Sequence, residues 1–334
     1  MQYYNDYYGG AFQPYPSYDL LYRREEERKK IKKLSITAGL CVTAFAVLQF
    51  AFSFVLALTG LNERFLNDRY FAFEVNIVYY LTIIFLPFLV AFLMTPVEER
   101  PDMNSFGKPR SNAMILPAVI CGFMFCMIGN FATDYLISFL ERFHIELSGG
   151  EYETSADAFG LVSNLITIAV LPALIEEFSL RFVVMQPLRK YGDKFAIVMS
   201  SMVFALMHGN MVQIPFAFIA GVAIAYFVIS TGSVWTGVLI HLLNNAYSVV
   251  INYMLEVRPT AAETFYRILL ASLFTVGVIC GAVYLLSKNR NRLENGSELL
   301  TIRQKTAAYI FTLPMIIAIV LLFIETSNFV TYTG

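Results

Sequence analysis

Three short polar groups interrupt long apolar stretches in the second half of the chain. They are Glu176, Glu177 and Arg181 in IEEFSLR, Phe204 and His208 in FALMH, and His241 and Asn245 in HLLNN. An ionisable side chain at the centre of a membrane helix costs about 2.5 to 3.5 kcal/mol on insertion scales, so it usually faces a cavity or a partner inside the protein. Carboxylates and histidines that share such a cavity are groups that general acid–base catalysis uses.

The spacing of the first group separates the two glutamates. Glu177 and Arg181 lie four residues apart on one face of a helix, so they can form an ion pair. Glu176 is rotated by about 100° from Glu177, which leaves its carboxylate free for another task. The alternative is a purely structural ion pair, with Glu176 extending its carboxylate toward the cytoplasmic interface. Two histidines in apolar helices alongside these carboxylates favour chemistry over that alternative.

The elements that must hold these groups are membrane helices. Of the 334 residues, 57% are hydrophobic and only 15% are charged, so the chain is more apolar than a soluble domain. The runs are continuous, unlike the alternating pattern of barrel strands. We therefore predict an all-α, polytopic transmembrane helical bundle of eight or nine spans. A membrane-spanning helix needs about 17 to 25 mostly apolar residues. The candidate segments, two of them short, are 35–61, 75–96, 113–139, 157–184, 195–210, 212–230, 234–255, 266–287 and 307–327.

Helical rise places two of the polar groups at a similar depth. Glu176 precedes Arg189 by 13 residues and His208 follows Lys194 by 14. At about 1.5 Å per residue, both lie about 20 Å below the cytoplasmic charge layer. His241 comes too soon after the preceding loop to reach that depth, so we expect this uncharged loop to lie below the lipid headgroups.

The basic residues predict the orientation of the chain. Cytoplasmic loops accumulate Lys and Arg, and a cytoplasmic N-terminus puts 18 of the 24 basic residues inside and 5 outside. We therefore predict an integral, multi-pass membrane protein with its N-terminus in the cytoplasm and its C-terminus outside. With this orientation, we expect the cavity to open toward the cytoplasm.

The remaining features are less informative. The tyrosine-rich segment 1–22 has no helical or strand period and is predicted to be disordered, and it is a candidate docking site for a partner protein. The stalk RREEERKKIKKL pairs Glu25 with Lys29 and Glu26 with Lys30 and would favour anionic membrane lipid. The net charge of −1 and the scattered basic islands exclude a nucleic-acid partner. The four cysteines lack the spacing of a metal site or a disulfide framework.

All three polar groups match the pattern EExxxR, FxxxH, HxxxN of a known family. The chain resembles the CPBP family of intramembrane endopeptidases, which includes CAAX proteases and bacteriocin-processing or self-immunity proteins. The motifs occur in the family's order, and the tract SVWTGVLIH before the third is also similar to that of the family. The resemblance covers about 155–255 and implies that this part of the bundle is a catalytic four-helix core.

The resemblance implies a function for each residue. Glu176 and His208 would activate water for attack on a peptide bond of a membrane-associated protein or peptide, CAAX-like or otherwise. His241 and Asn245 would donate hydrogen bonds to the developing oxyanion, although Asn244 is also near enough to face the site. The supporting residues would be Glu177 and Arg181, which orient Glu176, and Phe204, which packs against His208.

Four units follow from this interpretation. They are a cytoplasmic tail and basic stalk (1–34), three N-terminal spans (35–155), the catalytic core (156–255) and two C-terminal spans (256–334).

Three alternatives remain at this level. The family is also classed with metalloproteases, and Glu176, His208 and His241 could bind Zn2+, but the absence of an HExxH helix favours a metal-independent glutamate mechanism without a cofactor. A non-proteolytic membrane partner, such as an immunity or regulatory scaffold, would not need complete motifs. A transporter would be expected to show internal repeats, and none is evident.

Overall fold

The chain folds into a bundle of helices. The computed structural model describes residues 17–107, 109–149, 157–288, 290 and 292–333. The helices that matter for the site are α1 (Tyr18–Leu58), α2 (Leu61–Asn67), α3 (Arg69–Met94), α4 (Asn104–Gly107), α5 (Ile115–Glu141), α6 (Ala158–Tyr191), α7 (Asp193–Leu206), α8 (Ile214–Thr231), α9 (Val234–Val257), α10 (Pro259–Leu286), α11 (Ile302–Ile310) and α12 (Leu313–Ser327). Two short strands, β1 (Ile145–Leu147) and β2 (Val330–Tyr332), form an antiparallel pair.

Seven of these helices are long and apolar enough to cross a membrane. They are α1, α3, α5, α6, α8, α9 and α10, and the pair α11 and α12 would make an eighth span although it bends by 73° at its break. Pro314 at the start of α12 explains this bend, because proline cannot continue the preceding helix. The all-α polytopic fold is therefore confirmed.

The ninth predicted segment, 195–210, is a shorter element. Helix α7 has 14 residues, which at the helical rise is about 21 Å, less than the roughly 30 Å of a bilayer core. Its apolar run continues to Met207, but the chain turns at Gly209, where φ is +65°. Helix α7 is therefore too short to count as a full span.

One face of the bundle gathers the basic loops. Lys33 of α1 contacts Glu99 at 2.7 Å, and its ammonium lowers the pKa of this carboxyl group. Glu294 donates its backbone N–H to Asp193 at the start of α7, and Lys305 binds the carbonyl of Tyr191 at 2.6 Å. We call this side, formed by 23–33, 97–110, 189–194 and 292–305, the basic face.

The opposite side holds the other loops and is called the distal face here. It is formed by 59–68, 142–149, 207–213 and 258. Strand β1 follows α5 on this side and pairs with β2 at the C-terminal end of the chain. The start of α1 and the described C-terminal strand therefore lie on opposite faces, as nine alternating segments require.

Helix α6 lies at the centre of the packing around the polar groups. It packs against α7 and α9, while α8 packs against α5, α7 and α9, and α1 packs along α12. The contact of α1 with α12 is close at Gly39, where an added Cβ would lie 2.5 Å from the backbone of Met315. Four of the helices, α6 to α9, thus form a core that the other spans surround.

The N-terminal predictions have mixed outcomes. Most of the tyrosine-rich tail, residues 1–16, lies outside the described residues. The stalk is helical and continuous with the first span in α1. Its glutamates pair with basic residues three positions on, Glu25 with Arg28 and Glu26 with Lys29, rather than four positions on as predicted.

Candidate active site

The predicted ion pair of Glu177 and Arg181 is present and fully buried. Both side chains are 0% exposed, and Arg181 Nε lies 3.4 Å from Glu177 Oε2, which is an ion pair without good hydrogen-bond geometry. Arg181 also donates to the carbonyl of Gly221 at 3.4 Å. A buried charge left without a partner is strongly destabilising, so this pair is a fixed part of the core.

Glu177 has a second partner that the sequence did not predict. Its Oε1 lies 3.1 Å from Nδ1 of His241, so the carboxylate stands between Arg181 and His241. We expected Glu177 to orient Glu176; the described contacts instead join it to His241. A carboxylate on Nδ1 fixes the orientation of an imidazole and directs Nε2 to the opposite side.

Gly237, one turn before His241, makes room for this contact. A Cβ at position 237 would lie 2.7 Å from Glu177 Oε2 and 2.7 Å from Cγ2 of Val228. Real Cβ contacts do not occur at such distances. The glycine in SVWTGVLIH thus lets the carboxylate approach helix α9 closely.

His208 is held by the end of its own helix. Helix α7 ends at Leu206, and the carbonyl of Phe204 accepts a hydrogen bond from Nδ1 of His208 at 2.9 Å. Because a carbonyl can only accept, the proton of the neutral ring lies on Nδ1 and Nε2 is free to accept a proton. Asn210 fixes the following turn by donating to the carbonyl of His208 at 3.0 Å.

The ring of Phe204 connects the polar groups. It makes edge contacts with His208 at 4.9 Å and with His241 at 5.7 Å between ring centroids. The guanidinium of Arg181 lies 4.8 Å from the same ring centroid, in a cation–π contact. The predicted packing of Phe204 against His208 is present, and the structure adds the other two contacts.

Asn245 is anchored by a break in α6. Residues Leu165–Val170 form a π-helical stretch, and the carbonyl of Ile168 within it accepts from Nδ2 of Asn245 at 2.8 Å. The Oδ1 of Asn245 accepts from Asn244 at 3.0 Å. This leaves the second N–H of the Asn245 amide available to a ligand. A further π-helical stretch, Glu177–Met185, begins at the second of the two glutamates. Such stretches are frequent at functional sites.

These side chains surround one cavity of about 740 Å³. Glu176, Phe204, His208, His241 and Asn245 all line it, and so does Asn244. Glu177 and Arg181 do not line it, and they lie behind His241 and Phe204. The structure therefore brings the four predicted catalytic side chains to one space and places the supporting ion pair outside it.

Helices outside the core complete the cavity wall, and the sequence analysis missed their residues. These are Gln49 of α1, Tyr79 and Tyr80 of α3, Asn130 and Asp134 of α5, and Tyr266 of α10. Gln49, Asn130 and Asp134 are polar residues within or at the end of apolar runs. This was the signal that could have revealed them.

The described residues do not form a metal cluster. No group of three or more His, Cys, Asp or Glu side chains in the described part of the chain has an arrangement that could hold a metal ion. Glu176, His208 and His241 share the cavity but do not converge as zinc ligands. We therefore derive no step through zinc.

The loop before α9 is buried, as its lack of charge led us to expect. Thr231 and Ser233 are 2% and 1% exposed. The backbone N–H of Arg110 donates to the carbonyl of Thr231, and Ser233 donates to that of Phe106. The segment before α5 thus covers this loop, so that α9 begins below the surface.

The cavity extends from the middle of the bundle toward the distal face. Glu176 lies in the middle of α6, whereas His208 after α7, Gln213 before α8 and Asn252 in the last turns of α9 lie toward the distal face. The orientation of the chain in the membrane and the side to which the cavity opens stay predictions.

Residues 158–247 match the sequence model of a family described as type II CAAX prenyl endopeptidase, Rce1-like. This segment runs from the start of α6 to Tyr247 in α9 and contains all seven predicted site residues. Comparisons with curated proteins and with solved structures gave no match. The family match confirms the predicted resemblance to the CAAX proteases and supports intramembrane endopeptidase activity in general.

The first prediction concerns Gly237→Ala. The added methyl group must displace the Glu177 carboxylate from His241, and a misplacement of this kind can lower a rate by about 100-fold. We expect such a loss of peptidase activity, measured per amount of monodisperse protein. Gly281→Ala is the matched control, because its Cβ would meet Cys121 Sγ at an ordinary 3.4 Å. Wild-type activity in Gly237→Ala would contradict the positioning role of the Glu177–His241 contact.

The second prediction concerns access to the cavity. In a cysteine-free background, Asn252→Cys at the cavity wall and Glu98→Cys on the basic face should react with an impermeant maleimide from opposite sides of the membrane. The basic face should be cytoplasmic, so Asn252→Cys should react in intact cells and Glu98→Cys only in inverted vesicles. The reverse pattern would show that the opening is cytoplasmic and the N-terminus is outside. Labelling of both positions from one side would contradict the structure.

Proposed function

We propose that this protein is an intramembrane endopeptidase that hydrolyses a peptide bond of a membrane-associated protein or peptide with a water molecule activated by Glu176 and His208. The observation that carries the proposal is that Glu176, His208, His241 and Asn245 line one cavity inside the bundle. Two bases and two hydrogen-bond donors in one space are what acyl transfer to water requires.

Glu176 and His208 are suited to accept protons. Glu176 has its carboxylate at the cavity, while the neighbouring Glu177 binds Arg181 and His241. The Nε2 of His208 is free because Nδ1 donates to Phe204. In the first step, Glu176, assisted by His208, takes a proton from water while the water oxygen attacks the carbonyl carbon of the peptide bond. The proton then passes to the leaving amine as the C–N bond breaks.

His241 and Asn245 are suited to stabilise the oxyanion. Glu177 holds Nδ1 of His241 and so directs Nε2 of the ring to the cavity, from where an Nε2–H can donate to an oxyanion. The Asn245 amide is held by Ile168 and Asn244 and has one N–H left. Donors that are fixed before reaction stabilise a developing negative charge without reorganisation, and each one contributes about 100- to 1,000-fold to the rate.

The third prediction tests this assignment. Glu176→Gln and His208→Ala should each lower peptide cleavage by about 100- to 10,000-fold, the range of general acid–base catalysis. Asn245→Ala should cost about 100-fold or more. His144→Asn is the matched histidine control, because His144 lies on the distal face outside the cavity and Asn tolerates its φ of 60°. Full cleavage by His208→Ala would contradict its role as a base, and full biological function of this variant in a complementation assay would favour the non-proteolytic scaffold.

The fourth prediction concerns zinc. We expect active purified protein to contain no stoichiometric zinc and to retain activity after treatment with a chelator, because water activation is assigned to Glu176. Metal analysis and chelator titration measure this directly. One tightly bound zinc per chain, with activity lost on chelation and restored by zinc, would instead make Glu176, His208 and His241 ligands.

A further inference from the structure

The charge of the cavity wall affects which substrate side chains the cavity can accept. Two carboxylates, Glu176 and Asp134, line the cavity, and no Lys or Arg is among the described residues that line it. Asp134 lies on α5, is exposed on the distal side, and forms no ion pair with a described basic residue. The other polar lining groups are mostly neutral amides and tyrosines.

The nearest basic side chain cannot offset these carboxylates. Arg181 is fully buried, and its guanidinium is committed to Glu177, to the carbonyl of Gly221 and to the ring of Phe204. A substrate carboxylate in the cavity would therefore meet no Lys or Arg side chain on the described wall, and the His241 ring is already paired with Glu177. It would also meet the carboxylates of Glu176 and Asp134.

A third acidic side chain lies beside the cavity without lining it. Glu325 of α12 accepts a hydrogen bond from Gln49, whose side chain lines the cavity. Its carboxyl carbon lies 2.9 Å from where a Cβ of Gly209 would be, directly beside the turn that follows His208. The Oε2 of Glu325 is buried without a hydrogen-bond partner among the described residues.

We propose that the cavity selects a substrate segment with a Lys or Arg near the scissile bond and disfavours one that ends there in a free carboxylate. This inference rests on the proposed endopeptidase function and specifies its substrate. Like charges brought together across an interface suppress a partner, and opposite charges favour it, more strongly where water is excluded. A CAAX motif ends in the C-terminal carboxylate of its protein, so this chain should prefer an internal bond to such a terminus.

The test uses peptides in matched sets. Each set shares one sequence and differs at a central position, which is Lys, Gln or Glu, and each peptide is made with a C-terminal amide and with a free acid close to that position. Cleavage by the wild type in lipid nanodiscs is followed by mass spectrometry. Binding of the same peptides to His208→Ala, which keeps both wall carboxylates, is followed by fluorescence anisotropy, which does not depend on catalysis.

We expect the Lys peptide to be cleaved about tenfold faster than the Glu peptide, and the amide about tenfold faster than the free acid, as close charge pairs allow. Asp134→Asn should lower the Lys-to-Glu ratio by about threefold, with both rates taken relative to cleavage of the Gln peptide by the same variant. Glu141→Gln is the matched control, because Glu141 is exposed on the same helix and does not line the cavity.

The two measurements separate the two proposals. Equal binding of Lys and Glu peptides, a preference for the free acid, or an unchanged ratio in Asp134→Asn would overturn the charge selection. Preferential binding of Lys peptides with no cleavage above the Glu176→Gln background would support the charge selection and overturn the endopeptidase.

Discussion

The site depends on a buried line of three side chains, in which Glu177 contacts both Arg181 and His241. Removing any one member would leave a charged or polar group unpaired in the membrane interior, where that is most costly. Arg181 and Glu177 belong to α6 and His241 to α9, while the ring of Phe204 in α7 packs against both Arg181 and His241. The same contacts that satisfy these charges therefore fix three helices and the direction of the His241 ring.

Irregular backbone supplies the other anchors. Carbonyl groups released from regular helical bonding must find donors when no water is present. The carbonyl of Ile168, in a π-helical stretch, is satisfied by Asn245, and that of Phe204, at the early end of α7, is satisfied by His208. Each break in a helix thus orients one side chain at the cavity. The short α7 is a consequence of this arrangement, since a regular continuation of the helix would occupy the Phe204 carbonyl and leave His208 Nδ1 without it.

Sequence reasoning reached the local parts of this arrangement and missed the parts set by distant helices. The ion pair of Glu177 and Arg181 follows from a four-residue spacing, and the common depth of Glu176 and His208 follows from helical rise alone. The contact of Glu177 with His241 depends on how α6 crosses α9 at Gly237, which no periodicity encodes. The predicted segment 195–210 extended past the end of α7 at Leu206, because the apolar run continues to Met207.

The residues outside the family match give the cavity its individual character. The matched segment 158–247 contains the catalytic candidates, so the shared chemistry has its determinants there. Gln49 and Asp134 reach the same cavity from α1 and α5, and Glu325 contacts the turn after His208 from α12. These positions can change charge without disturbing the line from Arg181 to His241, because none of the three contacts it among the described residues. Under the proposed function, the charge of the cavity wall can therefore differ without a change in the residues assigned to hydrolysis.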